Sequence, residues 1–285
     1  MNRREFLAAC GAAAGVAKAG WARGRNPLDR LAVLSWSFRD AFAKTRAKNG
    51  WVPDKDLDIL DYPEMIADKF HIHNVEVQTM YLQQEPSFIK EFKVRLKRAK
   101  SKLVNIAAEP GNDVIKGIGS PDEQARIKAI EVYVQWIDYA AEIGSPTLMI
   151  NQGNLYDDLG PLTDSAKKLV EHGRTRKVVV TAEPRGTSGR HPELLAKVMR
   201  ESGMRSTTDI GNFSDDARER GIRELLPLMA NTCHVKYNPA RFDLAHLVQI
   251  INDSGYKGLF TIEAGFGGSP YEQTQLVLDQ LVKYV

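Results

Sequence analysis

Three acidic residues and one histidine stand at the ends of four consecutive apolar segments in the second half of the chain. Glu183 follows "VVVTA", Asp209 closes "RSTTD", His234 lies in "TCHV" and Glu263 follows "GLFTI". They are about 25 to 30 residues apart, which is the length of one strand-helix unit. A carboxylate at the edge of an apolar core is costly without a partner, so we expect a compensating group beside these residues.

The four side chains together form a ligand set for a divalent metal ion. Successive parallel strands would bring them to one rim, where neighbouring carboxylates repel each other unless a cation lies between them. We predict one ion, with Mn²⁺ favoured and Mg²⁺, Co²⁺ or Zn²⁺ as alternatives. Taken singly, Asp209 suits a helix N-cap and His234 a hydrogen-bonded core position, and Arg185 and Lys236 are available as ion-pair partners. The recurrence on four successive units favours the metal.

Short apolar strands alternate with amphipathic helices along the whole chain. The clearest helix is predicted over 120–144, with Ser120 as its N-cap and Ile127 to Ala141 on its apolar face, and others over 214–230 and 243–255. This order is typical of parallel α/β folds, and eight units favour a single (β/α)8 TIM barrel over residues 30–285. A doubly wound sheet is disfavoured because no Gly-x-Gly-x-x-Gly follows the first strand. The predicted strands cover 31–36, 74–82, 102–110, 146–154, 177–186, 204–212, 232–239 and 258–268.

The composition excludes some classes of partner. The 285 residues are 43% hydrophobic and 26% charged, with a net charge of +3, so no nucleic-acid partner is expected. The densest basic run, over 90–102, has the spacing of a solvated helix face. A small-molecule partner is expected, and the sequence is compatible with a homo-oligomer.

Residues 1–22 have the layout of a cleavable export signal rather than of a folded element. Arg3 and Arg4 precede a weakly apolar Ala/Gly stretch that ends near Ala19 or Ala22, and the arrangement resembles a bacterial twin-arginine signal. The stretch is too short and too weakly apolar for a stable membrane span. We therefore predict an exported, periplasmic protein, in which cleavage leaves Cys233 as the single cysteine and no intramolecular disulfide.

Several motifs resemble the xylose isomerase-like TIM-barrel superfamily, in its sugar phosphate isomerase/epimerase branch. They are "AEPRG" (182–186), "TDIGN" (208–212), "HVKY" (234–237) and "SGYKGLFTIEAGFGG" (254–268). The resemblance implies that Glu183, Asp209, His234 and Glu263 bind the metal and that Glu183 and Glu263 form an acid/base pair. It also implies that Lys236 faces the substrate. Two positions depart from the family pattern: Asn212 replaces a frequent histidine, and Tyr237 replaces an aspartate.

The expected function is a metal-dependent sugar or polyol isomerase or epimerase that abstracts a proton and passes through an enediolate. The alternatives are a related dehydratase or lyase on keto-sugars or glycosides, and a carbohydrate-binding barrel without catalysis. Cleavage of abasic DNA is disfavoured by the charge and by the few histidines at strand ends.

Glu76 is either a substrate contact or part of a polar core layer, and Glu109 is assigned to a loop. The predicted substrate contacts are Glu76, Asn151, Arg185, Lys236 and Trp36.

Overall fold

Eight parallel strands close into a barrel in which each strand pairs with its neighbours in the sequence and β1 pairs with β8. The computed structural model describes residues 26–48, 50–265 and 267–285, so the predicted export segment 1–22 lies outside the described residues. The predicted (β/α)8 TIM barrel is confirmed. The strands β1 to β8 are Leu31–Leu34, Asn74–Gln78, Lys102–Ala108, Thr147–Ile150, Val179–Ala182, Arg205–Asp209, Met229–Val235 and Leu259–Ile262.

Helices follow the strands and surround the barrel. Within the described residues, no helix is both long enough and apolar enough to cross a membrane. The helices α1 to α10 are Tyr62–Phe70, Pro86–Arg98, Asn112–Gly117, Glu123–Ile143, Gly160–Arg176, Thr187–Arg190, Pro192–Ser202, Arg218–Leu225, Leu244–Asp253 and Pro270–Leu281.

The start of α4 differs from the sequence prediction. Asp122, not Ser120, is the N-cap, and its carboxylate accepts a hydrogen bond from the Gln124 amide at 2.9 Å. The Ser120 hydroxyl accepts from the Asp122 amide at 3.1 Å, so it forms a turn before the helix. The buried face differs in part from the predicted one: Ile137 is fully buried as predicted, but Ile127 is 40% exposed and Tyr133, which was not assigned to the face, is fully buried. The predicted stop is correct: Gly144 ends α4 with a positive φ of 93°.

Successive side chains of each strand point alternately toward the surrounding helices and into the barrel, because side chains alternate along a β-strand. Val75 and Val77 in β2 belong to the large apolar core between barrel and helices. Glu76, between them, points into the barrel and is fully buried. A smaller apolar cluster of Leu34, Ala107 and Met149, with Trp36 packed against it, lies apart from this core.

A layer of hydrogen-bonded polar side chains lies inside the barrel around Glu76. The Glu76 carboxylate accepts hydrogen bonds from Asn105 Nδ2 at 3.0 Å, from the Thr261 hydroxyl and from His234 Nε2 at 2.9 Å. Asn105 in turn accepts from the Thr147 hydroxyl at 2.7 Å. Burial raises the pKa of Glu76, but His234 and the other donors outweigh it, so the pKa lies below its usual value. Glu76 therefore belongs to the polar core layer.

Replacement of Glu76 by alanine should lower the free energy of unfolding by about 3–5 kcal/mol, because it removes one partner of a buried ion pair and leaves donors unsatisfied. Urea denaturation of the protein in EDTA, followed by circular dichroism, measures this. Glu131→Ala on the exposed face of α4 is the control and should change the value by less than about 0.5 kcal/mol. Equal stabilities of the two variants would contradict the role given to Glu76.

Candidate functional site

Three of the predicted ligands meet at the carboxyl end of the barrel. Glu183 follows β5 directly, Asp209 is the last residue of β6 and His234 lies opposite Asp209 in β7. One donor atom from each residue lies within 4.8 Å of the others, and all three side chains are buried. Two carboxylate oxygens and one imidazole nitrogen at such distances fit a single divalent cation such as Mn²⁺.

Glu263, the fourth predicted ligand, lies at the edge of this group. It follows β8 directly, and its carboxylate is 3.7 Å from His234 Nδ1 and 3.2 Å from the Lys236 ammonium. The structure thus brings all four predicted residues to one place. Glu183, Asp209 and His234 form the compact set, and Glu263 is within reach of it.

Two side-chain cations already pair with these carboxylates. The Arg185 guanidinium donates to Glu183 and, at 2.6 Å, to Glu109. The Lys236 ammonium donates to Asp209 at 2.5 Å. The acidic cluster is therefore only partly compensated by these two cations, because they face the four carboxylates of Glu109, Glu183, Asp209 and Glu263. The sequence analysis named Arg185 and Lys236 as available ion-pair partners, and the structure pairs both with these carboxylates.

The surroundings move the pKa values of the two predicted acid/base residues in opposite directions. Burial raises the pKa of Glu183, but Arg185 and His234 outweigh it and lower the value to about 2. Burial also raises the pKa of Glu263, and Lys236 only partly offsets this, so its pKa lies above the usual value. The two carboxylates are thus chemically different, which is the condition for separate acid and base roles.

His234 is held between two layers of the barrel. Its Nε2 atom contacts Glu76 in the polar layer at 2.9 Å, and its Nδ1 atom faces the Glu183 carboxylate at 3.2 Å. Burial lowers the pKa of His234, but Glu76 and Glu183 outweigh it and raise the value well above the usual one. The contact with Glu76 therefore fixes the imidazole ring in the orientation in which Nδ1 faces Glu183.

A cavity of about 340 Å³ opens above the cluster. Among the predicted substrate contacts, Trp36, Arg185 and Lys236 line it. Glu76 does not, because it is fully buried below His234, and Asn151 is instead bonded through its amide to Glu109 at 2.7 Å. The full lining comprises Leu34, Trp36, Gln78, Met80, Glu109, Met149, Glu183, Arg185, Gly186, Asn212, His234, Lys236 and Glu263.

Three polar lining residues, Gln78, Glu109 and Asn212, were not predicted as site residues. Gln78 lies two positions after the inward-facing Glu76, and Glu109 lies two positions after the inward-facing Ala107. The alternation of side chains along a strand therefore predicts that both point inward. Glu109 was assigned to a loop, and it does follow the end of β3, but its carboxylate enters the site. The side chain of Gln78 lines the cavity, and its buried Oε1 atom has no hydrogen-bond partner in the described part of the chain.

Asn212 contacts Lys236 at the position where the sequence resemblance predicts a histidine. Its side-chain oxygen accepts from the Lys236 ammonium at 2.9 Å. Gly211 makes this approach feasible, because a Cβ there would lie 2.7 Å from Lys236 Cδ. Asn212 thus holds Lys236 against Asp209.

The fold is similar to that of several sugar epimerases of known structure at low sequence identity. L-ribulose 3-epimerase matches with a TM-score of 0.68 and 12% identity, over 89% of this chain and 94% of that one. The 3-keto-D-glucoside 4-epimerase of E. coli matches with a TM-score of 0.67 and 13% identity, over 89% and 99%. D-psicose 3-epimerase from Clostridium cellulolyticum H10, solved with D-tagatose, matches with a TM-score of 0.64 and 12% identity, over 89% of this chain and 94% of that one.

A comparison with curated protein sequences returns no significant match. The sequence model of one family, described as "Xylose isomerase-like TIM barrel", matches residues 61–281. This segment contains seven of the eight strands and all four predicted metal ligands. The chain therefore belongs to the xylose isomerase-like TIM-barrel family.

Proposed function

We propose that the protein is a metal-dependent isomerase or epimerase of a sugar or polyol. The observation that carries the proposal is the convergence of Glu183, Asp209 and His234 donor atoms within 4.8 Å of one another beneath an open cavity. The similar folds named above are those of sugar epimerases, which adds support from the architecture.

The carboxylates of Glu183 and Glu263 would move the proton. Both line the cavity, and His234 Nδ1 lies 3.2 Å from one and 3.7 Å from the other, so they flank the same position. One would remove a proton from a carbon beside a carbonyl, and the other would return a proton to the resulting enediolate. A divalent ion held by Glu183, Asp209, His234 and Glu263 would supply positive charge for the developing oxyanion.

The remaining lining residues would bind and orient the sugar. Gln78, Lys236 and Arg185 line the cavity, and the two cations can donate hydrogen bonds to substrate oxygens. Trp36, packed on Leu34 and Met149, gives the cavity an apolar surface for the C–H face of a ring. Loss of a β-hydroxyl from the same enediolate would make the protein a lyase instead.

We also propose export to the periplasm. The support is the Arg3-Arg4 pair with its following Ala/Gly stretch in residues 1–22. A sugar without phosphate is the favoured substrate for an enzyme in that compartment, and the cavity agrees with this, because its cations Arg185 and Lys236 are each paired with carboxylates.

The purified protein should bind about one Mn²⁺ per chain at micromolar concentration. Asp209→Asn should weaken this binding at least about tenfold, because it removes a charged ligand from the compact set. Isothermal titration calorimetry after EDTA treatment measures the stoichiometry and the dissociation constant of Mn²⁺ binding for both proteins. Asp279→Asn on the exposed face of α10 serves as the control and should bind like the unmodified protein.

If the unmodified protein takes up no Mn²⁺, Mg²⁺, Co²⁺ or Zn²⁺ at these concentrations, the metal-dependent proposal fails. A barrel that binds carbohydrate without catalysis then becomes the better description, with Arg185 and Lys236 as the partners that hold the carboxylates in place.

Incubation with sugars in D₂O should give metal-dependent exchange of a carbon-bound proton. A panel of ketoses, aldoses and 3-keto-glucosides followed by NMR covers the proposed reactions. Glu263→Gln should lower the exchange rate by about a hundredfold or more, because it removes one acid/base group. Glu142→Gln, on the outer end of α4, should leave the rate unchanged.

Exchange without net loss of water indicates an isomerase or epimerase, and release of water indicates the lyase. A rate for Glu263→Gln equal to that of the unmodified protein would remove Glu263 from the reaction.

A further inference from the structure

A second cavity of about 500 Å³ opens beside the first one. Met80 lines both cavities, so they meet at a single side chain. We propose that the second cavity is a subsite for the non-reacting part of a glycoside, a neutral second sugar ring or aglycone, whose reacting ring occupies the first cavity. This proposal rests on the function proposed above and narrows its substrate to glycosides.

The shared wall is held in a fixed position by the chain around it. Met80 lies in the turn of 3-10 helix Thr79–Tyr81 that follows β2, and its carbonyl accepts a hydrogen bond from the Lys44 ammonium at 2.7 Å. Tyr81 stacks on Phe42 with ring centres 4.2 Å apart. The backbone is thus anchored, while the unbranched Met80 side chain can adapt to a ligand that passes over it.

The walls of the second cavity suit an amphipathic and uncharged group. Leu57, Ile59 and Leu82 supply apolar surface, as the C–H faces of a sugar or an aryl group require. Two of its three aspartates have arginine partners: Asp56 pairs with Arg46, and Asp61 with Arg95 at 2.9 Å. The third, Asp58, lines the cavity together with Lys44 and Lys55, so charges of both signs are present and neither sign dominates for an ionic ligand.

The position of the second cavity also favours one extended substrate over two separate ligands. Its walls come from the segments that follow β1 and β2, and the first cavity is lined by Trp36 and Gln78 from the same two strand ends. A single sugar ring in the first cavity would leave the second one to solvent. Binding energy from a remote group can be used to raise the rate at the reacting carbon, which gives such a subsite a catalytic benefit.

The test compares two substrates with the same reacting ring, methyl and phenyl 3-keto-β-D-glucopyranoside, in the exchange assay with Mn²⁺. Gln83 lines the second cavity and lies outside the first, so Gln83→Trp should obstruct only the proposed subsite. We expect kcat/KM for the phenyl glycoside to fall about tenfold and that for the methyl glycoside to stay within about twofold. Gln84→Trp, at the exposed neighbouring position, should change neither.

Equal effects of Gln83→Trp on both glycosides, or no preference of the unmodified protein for the phenyl glycoside, would overturn the subsite while leaving the proposed reaction intact. When no exchange is observed, the subsite is tested by binding alone, with saturation-transfer NMR of phenyl and methyl β-D-glucopyranoside. If neither these keto-glycosides nor any sugar of the panel above exchanges, but Gln83→Trp still removes binding of the phenyl glucoside alone, the subsite stands and the proposed reaction fails. If that binding is absent or unaffected, the subsite fails too.

Discussion

The compensation of three carboxylates at the mouth of the barrel is the constraint on which the rest of the site depends. Glu183, Asp209 and Glu263 lie at the ends of β5, β6 and β8, where burial alone would make their ionised forms costly. Arg185, Lys236 and His234 offset part of this cost and fix the carboxylates in position. A metal that enters must therefore displace or share existing ion pairs, so the affinity of the site is set by competition between cations and not by the carboxylates alone.

The sequence was sufficient to predict the barrel and the converging residues, because both follow from simple periodicities. The spacing of Glu183, Asp209, His234 and Glu263 reflects one strand-helix unit each, and the structure places them together. The sequence does not predict how deep along the barrel axis an inward-facing side chain lies. Glu76 and Gln78 both point inward, but Glu76 is fully buried below His234 whereas Gln78 lines the cavity.

The other differences between the sequence prediction and the structure, at Glu109 and at the start of α4, are determined by individual contacts in the folded protein. Glu109 precedes Pro110 and Gly111, which is a loop pattern, but its pairing with Arg185 draws the carboxylate into the site. Ser120 and Asp122 are both good N-caps by type, and the turn between them selects the second. Such choices depend on the geometry of partners far away in the chain or on a single backbone hydrogen bond.

The site residues are divided unequally around the barrel. The proposed metal ligands follow or end β5 to β8, whereas Trp36, Gln78 and Met80, together with the second cavity, belong to the segments after β1 and β2. The proposed metal ligands and the second cavity are thus encoded in separate stretches of the gene. Exchange of the short segments between residues 36 and 83 could redirect such a barrel to a new substrate without rebuilding its reaction centre, a modular route both for divergence and for engineering.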